Sequence, residues 1–532
     1  LAALRPAFFM IDDDFRLLGG RNGCYCPLHL ATMNHRLGQD LDREALLERI
    51  RNDTAAARAY DDVLLESLLG LAGVIRSAID ATDPALPGSF CTCLGENRYA
   101  GPIAQCLAGK GRRPVVRINN GRYLCGEMRS FPVRMAHTAM QTAFYDAEAT
   151  ILAETDTCPH NRYSTSAHLL HAHYAGSIIE GCHGAKHWLT RIGNPWSSDK
   201  QPASGIAYRE ILTCHRGFYE TLFRAVHESQ PAAYVAAALA SEPPFVPAPC
   251  QGYADGSAKT WAAVMGVLGL PCNYARIPEL PAMMTGEDVE IFSNDDLRRM
   301  AKHGLLLDGP AAEAFTRRGL TDAIGVRAEP WTGPGVSGER WGGILLPRDL
   351  RYARLEPIDP SVRIHSALLH RASGVSADYS EIGPAATLFE NAAGGRVAVL
   401  AAGAGQGNSL TAPGLSFYDE DRKRELVELL GFVCGRPIPF YYPGDAEVYL
   451  KLRRFADGRY LLALFNLGHD PLDIIPLTAA ASLVHAERLM PDGTWQDAAF
   501  VDGCVPVPLL PAKPEVFRMA LTWNGSAQSG EA

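Results

Sequence analysis

A chain of 532 residues that is 47% hydrophobic and 20% charged is too long for one core and too apolar to stay disordered, so two to four globular domains are expected. The net charge of -9 is mild and the 50 lysines and arginines are scattered along the chain, which argues against nucleic acid or an anionic membrane as a partner. No stretch reaches the roughly 18 consecutive apolar residues of a spanning helix, and 13 cysteines strewn through so large a chain read as reduced thiols of a cytoplasmic protein.

The chain starts at Leu1 without Met and enters an apolar strand pattern at residues 7–11, so an upstream piece is expected. Helical spacing of apolar residues follows at 42–50 and 61–79. Then come a strand at 89–94, a helix at 98–108, a strand at 114–119, a helix at 135–145, a strand at 149–153, a helix at 166–179 and a strand at 184–189. Short apolar runs alternating with helices are the pattern of βα units on a parallel sheet, and five of them make just over half of an eight-unit barrel. An open doubly wound sheet gives the same alternation. No glycine-rich phosphate loop follows any of these strands, however, since Gly19-Gly20-Arg21-Asn22-Gly23 lies beyond a charged turn.

The run Glu242-Pro243-Pro244-Phe245-Val246-Pro247-Ala248-Pro249 marks a linker. Beyond it a smaller α/β unit is expected, with a helix at 258–268, strands near 274–277 and at 290–292, a helix from Asp295, a strand at 305–307 and a helix at 311–318. A hairpin joins 386–389 to 396–401 through Asn391-Ala392-Ala393-Gly394-Gly395, and a helix at 422–432 closes the unit. From about residue 445 short strands at 447–452, 460–466, 473–475 and 516–521 are separated by turns such as Ala456-Asp457-Gly458, the pattern of a small β-sandwich. The expected domains are a partial barrel over 1–228, an α/β unit over 242–440 and a β-sandwich over 445–525.

Two strands end in carboxylates. Phe9-Met10-Ile11 runs into Asp12-Asp13-Asp14, and Ala149-Thr150-Ile151-Leu152-Ala153 runs into Glu154. At the C-terminal end of a barrel strand such groups face the active-site mouth; an acidic loop or an oxygen-ligand cation site is the rival for the triplet. Two carboxyl groups about 5 to 5.5 Å apart serve a retaining glycosidase, one protonating the leaving oxygen and the other attacking the anomeric carbon.

Asp13-Asp14 and Glu154 resemble the acid/base and nucleophile positions at the ends of strands 4 and 7 in clan A glycosidases. The resemblance is closest to glycoside hydrolase family 42, the β-galactosidases, whose strand 4 motif continues into a Cys-x-Cys-x-x-Cys cluster. Here Cys24-Tyr25-Cys26-Pro27-Leu28-His29 follows the acid run. Gly184-Ala185-Lys186-His187-Trp188-Leu189-Thr190-Arg191 is similar to the strand 8 segment whose Trp floors the sugar site, with Arg191 at its end. The order of parts is also similar, and it implies an eight-stranded TIM barrel of which this chain carries the C-terminal part, then an amidotransferase-like α/β domain and a β-sandwich. It further implies a carbohydrate substrate, a homo-oligomer (dimer or trimer), no required cofactor and a structural zinc. Two departures stand out. Asp14 replaces the expected Glu, which leaves Asp12 and Asp13 as alternative acids, and three barrel strands have no counterpart upstream.

Cys24, Cys26 and His29 place three soft or borderline ligands in one loop, with a fourth still needed for tetrahedral zinc; buried thiols are the rival reading. Asn119, Asn120 and Tyr123 are candidates to bond the sugar or to steady Glu154, against a plain Asn-Gly turn. His187 and Trp188 are adjacent on a strand and face opposite sides, and Trp188 is the better sugar platform. His168, His171 and His173 do not share one helix face, so a solvated helix is expected rather than a second metal site. The alternative to a glycosidase is a carbohydrate-binding or scaffold protein on a decayed barrel. A working amidotransferase is disfavoured, because Cys250 and Cys272 lack the strand, tight turn and helix of a nucleophile elbow.

Overall fold

The computed structural model describes residues 2–12, 15, 17, 24–92, 97–121, 128–145, 149–156, 166–188, 203–232, 235–239, 256–276, 279–349, 351–372, 378–405, 417, 419–479 and 482–522. The first part alternates β1 (Phe9–Ile11), α1 (Pro27–Leu37), α2 (Arg43–Asn52), α3 (Thr54–Asp80), β2 (Gly88–Cys91), α4 (Asn97–Ala108), β3 (Val115–Arg117), α5 (Phe131–Ala143), β4 (Thr150–Asp156), α6 (Ala167–Ile179) and β5 (Gly184–Trp188). The strands form one sheet in chain order, β1-β2-β3-β4-β5, and every neighbouring pair is parallel. Sequential order is that of a barrel sector; a doubly wound sheet reverses direction at its first strand.

Parallel register fixes two faces. Phe90, Val116, Ile151 and Ala153 turn outward and bury against Leu68 and Ala72 of α3 and Ala100, Ile103 and Leu107 of α4. The inner face carries Asp12, Cys91, Arg117, Glu154, Lys186 and Trp188. In a flat sheet β1 and β5 would stand about 19 Å apart, four steps of ~4.8 Å. Lys186 at one edge nevertheless reaches Asp12 beyond the other at 2.6 Å, so the sheet is strongly curved, with this face inward.

Helix α1 is not anticipated by the sequence reading, which treats its segment as a ligand loop. Pro27 at the first helical position starts it and Gly38, at φ 62°, ends it. The long α3 also begins earlier than expected, because the Asp53 side chain accepts from the N–H groups of Ala55 and Ala56.

The second part comprises α7 (Ala203–Cys214), α8 (Arg216–His227), β6 (Ser229–Pro231), β7 (Ala236–Leu239), α9 (Gly256–Leu268), β8 (Asn273–Arg276), β9 (Ala282–Met284), α10 (Gly286–Val289), α11 (Asn294–His303), β10 (Leu305–Leu307), α12 (Gly309–Arg317) and α13 (Thr321–Ile324). It continues with β11 (Val326–Pro330), β12 (Gly338–Trp341), β13 (Ile344–Leu346), β14 (Ala353–Pro357), β15 (Arg363–His370), β16 (Ser380–Glu390), β17 (Arg396–Leu400) and α14 (Glu420–Cys434). Nine strands form one sheet, β13-β12-β15-β16-β17-β10-β9-β7-β8. The parallel core β8-β7-β9-β10-β17 has doubly wound order, and β16, β15, β12 and β13 extend it antiparallel.

Two expectations are corrected here. The strand expected at 290–292 is a turn: a capping box between Thr285 and Asp288 starts α10 just ahead of it, and the neighbouring strand is β9. The sheet also begins at β7, ahead of the boundary expected at the proline-rich run 242–249, and that run lies outside the described residues.

The last part holds β18 (Phe440–Tyr441), β19 (Val448–Phe455), β20 (Tyr460–Asn466), β21 (Thr478–Ala479), β22 (Ser482–Leu489), β23 (Trp495–Asp497) and β24 (Glu515–Thr522). They build an antiparallel sheet, β23-β22-β24-β20-β19-β6, beside a β18-β21 ladder. Residues 473–475 are not a strand but lie between isolated bridges at Leu472 and Pro476. Strand β6, directly after α8, stitches this sheet to the half barrel.

One lysine ties all three parts. Lys451 of β19 meets Glu180 at the end of α6 at 2.9 Å, with both side chains under a tenth exposed. It also donates to the Cys272 carbonyl ahead of β8 at 2.7 Å and lies 4.3 Å from the Tyr274 ring centre. Lys451→Met strands a buried carboxylate and is expected to cost about 3 to 5 kcal/mol, whereas pairing it with Glu180→Leu should restore most of that loss. Urea denaturation of the single and double variants checks both expectations.

Candidate active site

Glu154 stands at the C-terminal end of β4, 3% exposed. Its Oε2 meets Arg117 Nη1 from the end of β3 at 3.0 Å and accepts the Gly121 N–H at 3.0 Å. A guanidinium and a backbone donor are the positive partners that a buried carboxylate needs to remain charged. The backbone beneath it is held just as firmly: the Glu154 N–H donates to Asn120 Oδ1 at 2.8 Å, and Asn120 Nδ2 donates to Thr138 Oγ1 at 3.0 Å and Ser177 Oγ at 3.1 Å.

Asn120 is wholly buried. Its side-chain hydrogen bonds run to the Glu154 backbone, Thr138 and Ser177. Asn119 engages through its backbone, the N–H donating to Thr92 Oγ1 and Gln141 Oε1 and the carbonyl accepting from Gln141 Nε2. Asp13, Asp14, Tyr123 and Arg191 lie outside the described residues.

Glu154 pairs with Lys186 in the β4–β5 register, and Asp156 with Trp188. Trp188 therefore shares the inner face with Glu154, and His187 takes the opposite face, as strand alternation requires. Lys186 bonds Asp12 at 2.6 Å and the Cys91 thiol at 3.5 Å. Burial pulls its ammonium toward losing the proton, but the Asp12 hydrogen bond and the charges of Cys91 and Asp12 outweigh this and hold it above the ordinary lysine value. Arg117, Lys186 and Cys91 escaped the sequence reading. The available signal was a charge set inside an apolar strand, as in Val115-Val116-Arg117-Ile118.

Behind β4 and β5 lies a polar layer facing the helices. His187 Nδ1 stands 2.6 Å from Thr155 Oγ1 and 3.2 Å from the Tyr208 hydroxyl of α7. His171 of α6 stands 2.5 Å from the Tyr219 hydroxyl of α8. His171 and His173 are buried beneath α7 and α8, which corrects the expectation of a solvated helix face for these two, while His168 is exposed as expected.

The ligand atoms of Cys24, Cys26 and His29 all lie within 4.8 Å of one another. Cys26 Sγ is 3.2 Å from His29 Nδ1, and His29 Nε2 is 3.0 Å from Ser67 Oγ on α3. The backbone and ring of His29 draw the Cys26 thiol down to about 6. Two thiols and an imidazole oriented from behind by a hydroxyl suit zinc, and among the described residues the cluster supplies three ligands.

No family model matches the chain, and no curated protein matches it. Solved structures do. It is similar to a β-galactosidase from Bacillus circulans sp. alkalophilus (TM-score 0.53, 13% identity, 87% of this chain and 67% of that one). It is similar to a GH42 β-galactosidase from G. stearothermophilus (TM-score 0.53, 9% identity, 93% and 76%). It is also similar to α-L-fucosidase isoenzyme 2 from Paenibacillus thiaminolyticus (TM-score 0.55, 14% identity, 94% and 76%). The chain thus shares the fold of β-galactosidase-like glycoside hydrolases over most of its length, at identities where the likeness is one of fold. Among the described residues no helix is long and apolar enough to cross a membrane.

The histidines behind the sheet set a pH dependence. Burial holds His187 at about 4 and His171 at about 3, against an ordinary 6.5. As pH falls below about 6.5 the unfolded chain takes up these protons before the folded one does, so stability is full above that pH and is lost down to about 4 and 3, on the order of 3 kcal/mol for His187 and 5 kcal/mol for His171. His187→Gln should flatten the decline between pH 6.5 and 4 in urea unfolding; an unchanged slope would contradict the assignment.

Proposed function

We propose that the protein is a retaining β-glycosidase of the β-galactosidase-like kind. The observation that carries this reading is Glu154, buried and ion-paired with Arg117 at the end of an inner strand, on a fold shared with glycosidases. The five-stranded sheet is read as the C-terminal part of a (β/α)8 barrel, with the nine-stranded sheet and its helices, from β7 to about residue 440, as an amidotransferase-like domain, 445–525 as a β-sandwich, and the whole as a homo-oligomer.

In this mechanism Glu154 attacks the anomeric carbon and forms a glycosyl ester while a carboxylic acid of the Asp12-Asp13-Asp14 run protonates the departing oxygen. The same group, now a carboxylate, removes a proton from water, which cleaves the ester and frees the sugar. Asp12 is poorly suited to this task, because an ammonium at 2.6 Å favours its charged form. The resemblance to the family's strand 4 motif assigns Asp14 the acid/base role, one methylene shorter than a glutamate, and Asp13 a contact to the substrate. Trp188 offers an aromatic face to the sugar ring, with Asn119, Asn120, Tyr123 and Arg191 around it; Asn120 acts through Glu154. The chemistry needs no cofactor, and Cys24, Cys26 and His29 would hold a structural zinc.

Glu154→Gln keeps shape and removes the nucleophilic charge, so it should lower kcat on both an activated aryl β-glycoside and a natural disaccharide by at least about 1,000-fold. Asp14→Asn should lose less on the activated glycoside, whose aglycone leaves without protonation. Normal turnover by Glu154→Gln on both substrates would refute the nucleophile, and sugar binding without hydrolysis by the native chain would favour the binding-protein alternative.

Elemental analysis of the intact protein should find about one zinc per chain. Cys26→Ser should lower both that content and the melting temperature, and a metal-free native protein would remove zinc from the assignment.

A further inference from the structure

The inner face of the half barrel carries a lysine that the double-displacement chemistry does not itself require. Lys186 projects from β5 beside Glu154 in the strand register. Its Nζ reaches Asp12 beyond β1 at 2.6 Å and Cys91 on β2 at 3.5 Å, and it lies 5.8 Å from the Trp188 ring centre. The lysine side chain is 31% exposed and that of Asp12 65%, so the ion pair sits at the water-facing opening of the curved sheet. The charged and titratable groups around it, among the described residues, are Asp12 from β1, Cys91 from β2, Arg117 from β3 and Glu154 from β4. The positive charge of Arg117 opposes that of Lys186, which places the two cations within electrostatic reach of each other, with the carboxylates Asp12 and Glu154 as their partners.

We propose that Lys186 is a positioning residue for the glycosidase chemistry: through Asp12 it anchors the end of β1 across the mouth, and it supplies one of the two positive charges that balance the carboxylates there. The inference rests on the glycosidase reading and adds to it a residue that touches neither the scissile bond nor the leaving group. The geometry demands such a link. The first strand carries the acid run and the fourth carries the nucleophile, so their separation depends on how far the sheet curls, and the Lys186–Asp12 pair spans the two edges of that curl. The same ammonium bears on ionisation. A nucleophilic carboxylate must be charged before substrate binds, and losing a nearby cation makes that charge harder to hold.

The test uses the full chain and an activated aryl β-glycoside with Lys186→Met, Lys186→Arg, Asp12→Asn and the Lys186→Met/Asp12→Asn double variant. Methionine keeps the apolar stem packed against its neighbours. Lys186→Met is expected to lower kcat/KM about 10- to 100-fold, mainly through kcat, and to move the acid limb of the pH profile upward by about half a unit to one unit. Lys186→Arg should restore the limb. The double variant should be no worse than the poorer single, since one acts through the other. A wild-type limb in Lys186→Met, or losses in the two singles that simply add, would overturn the role. Should Lys186→Met fail to fold, Asp12→Asn decides: unchanged kcat there overturns the proposal as well. Absence of glycoside hydrolysis by the native chain would instead overturn the glycosidase reading, and this role with it, whereas a native enzyme whose Lys186 variants behave like wild type sinks the lysine alone.

Discussion

Burying a charge far from water is tolerable only where a partner and the remaining hydrogen bonds are all in place, and Lys451 meets that condition with groups from three separate parts of the chain. The carboxylate of Glu180 comes from the half barrel, the Cys272 carbonyl and Tyr274 ring from the doubly wound sheet, and the lysine itself from the C-terminal sheet. Displacing any one part by an ångström or two would strand an ion. Next to it on the same strand, Arg453 donates to the carbonyls of Val226 and Ser229 at 3.0 and 2.8 Å, fixing β6 where the half barrel hands over to the next part. Apolar packing fills in around these polar anchors. Helix α5 of the half barrel lies against α9, where a Cβ on Gly266 would come within 2.4 Å of the Pro132 side chain, so only glycine permits that approach.

That rigid backing is what allows the inner face to be open. The outer face of β2, β3 and β4 is sealed by α3 and α4, and the polar layer of His171, His187, Tyr208 and Tyr219 fills the space between β5 and helices α6 to α8. A sheet gripped from behind in this way can carry half-exposed groups such as Lys186 and Trp188 in front. Its curvature brings the ends of β1 and β5 to the same mouth, and register places Glu154 beside Lys186.

Strand pattern made the half barrel legible. Short strand-like runs alternating with helices gave the five strands away, although β3 ends in Arg117 and β5 carries Lys186 and His187, and the two runs ending in acids announced themselves because a carboxylate after Ala149–Ala153 has no role in an apolar core. Glu154 could be found this way; its partner could not, since Arg117 becomes informative only when the pairing of β3 with β4 is known. Asn120 stood open between a site role and a plain Asn-Gly turn, because the pattern does not show that its amide accepts from the Glu154 N–H of β4. The second sheet was harder to read. β7 is a four-residue alanine and leucine run, Ala236–Leu239, buried on every residue, and such a run carries neither strand nor helix periodicity. At 290–292 an apolar triplet looked like a strand, but the capping box at Thr285 and Asp288 had already committed the chain to a helical turn. In these cases the deciding contact is made by residues distant in sequence or by a cap, which composition alone does not reveal.

Two buried ion pairs among the described residues, Arg117–Glu154 and Glu180–Lys451, differ in what they explain. Replacing a buried pair by apolar residues of the same volume is often neutral or stabilising, so neither Arg117–Glu154 nor Glu180–Lys451 is accounted for by stability alone. Glu180–Lys451 sits where three parts meet, and its specificity of geometry is reason enough for it: an apolar patch there would accept many registers, a hydrogen-bonded pair only one. Arg117–Glu154 has no such junction to define. Both residues belong to neighbouring strands of one sheet whose register the backbone ladder already fixes, so a valine and a leucine would serve the fold there at least as well. The pair also faces the concave side, at the strand ends, where a barrel presents its chemistry. The carboxylate is held there by an arginine, a backbone N–H and, through its own backbone, a buried asparagine, so its geometry is fixed by more contacts than the sheet itself requires, the kind of placement in which perturbed groups gather at functional sites.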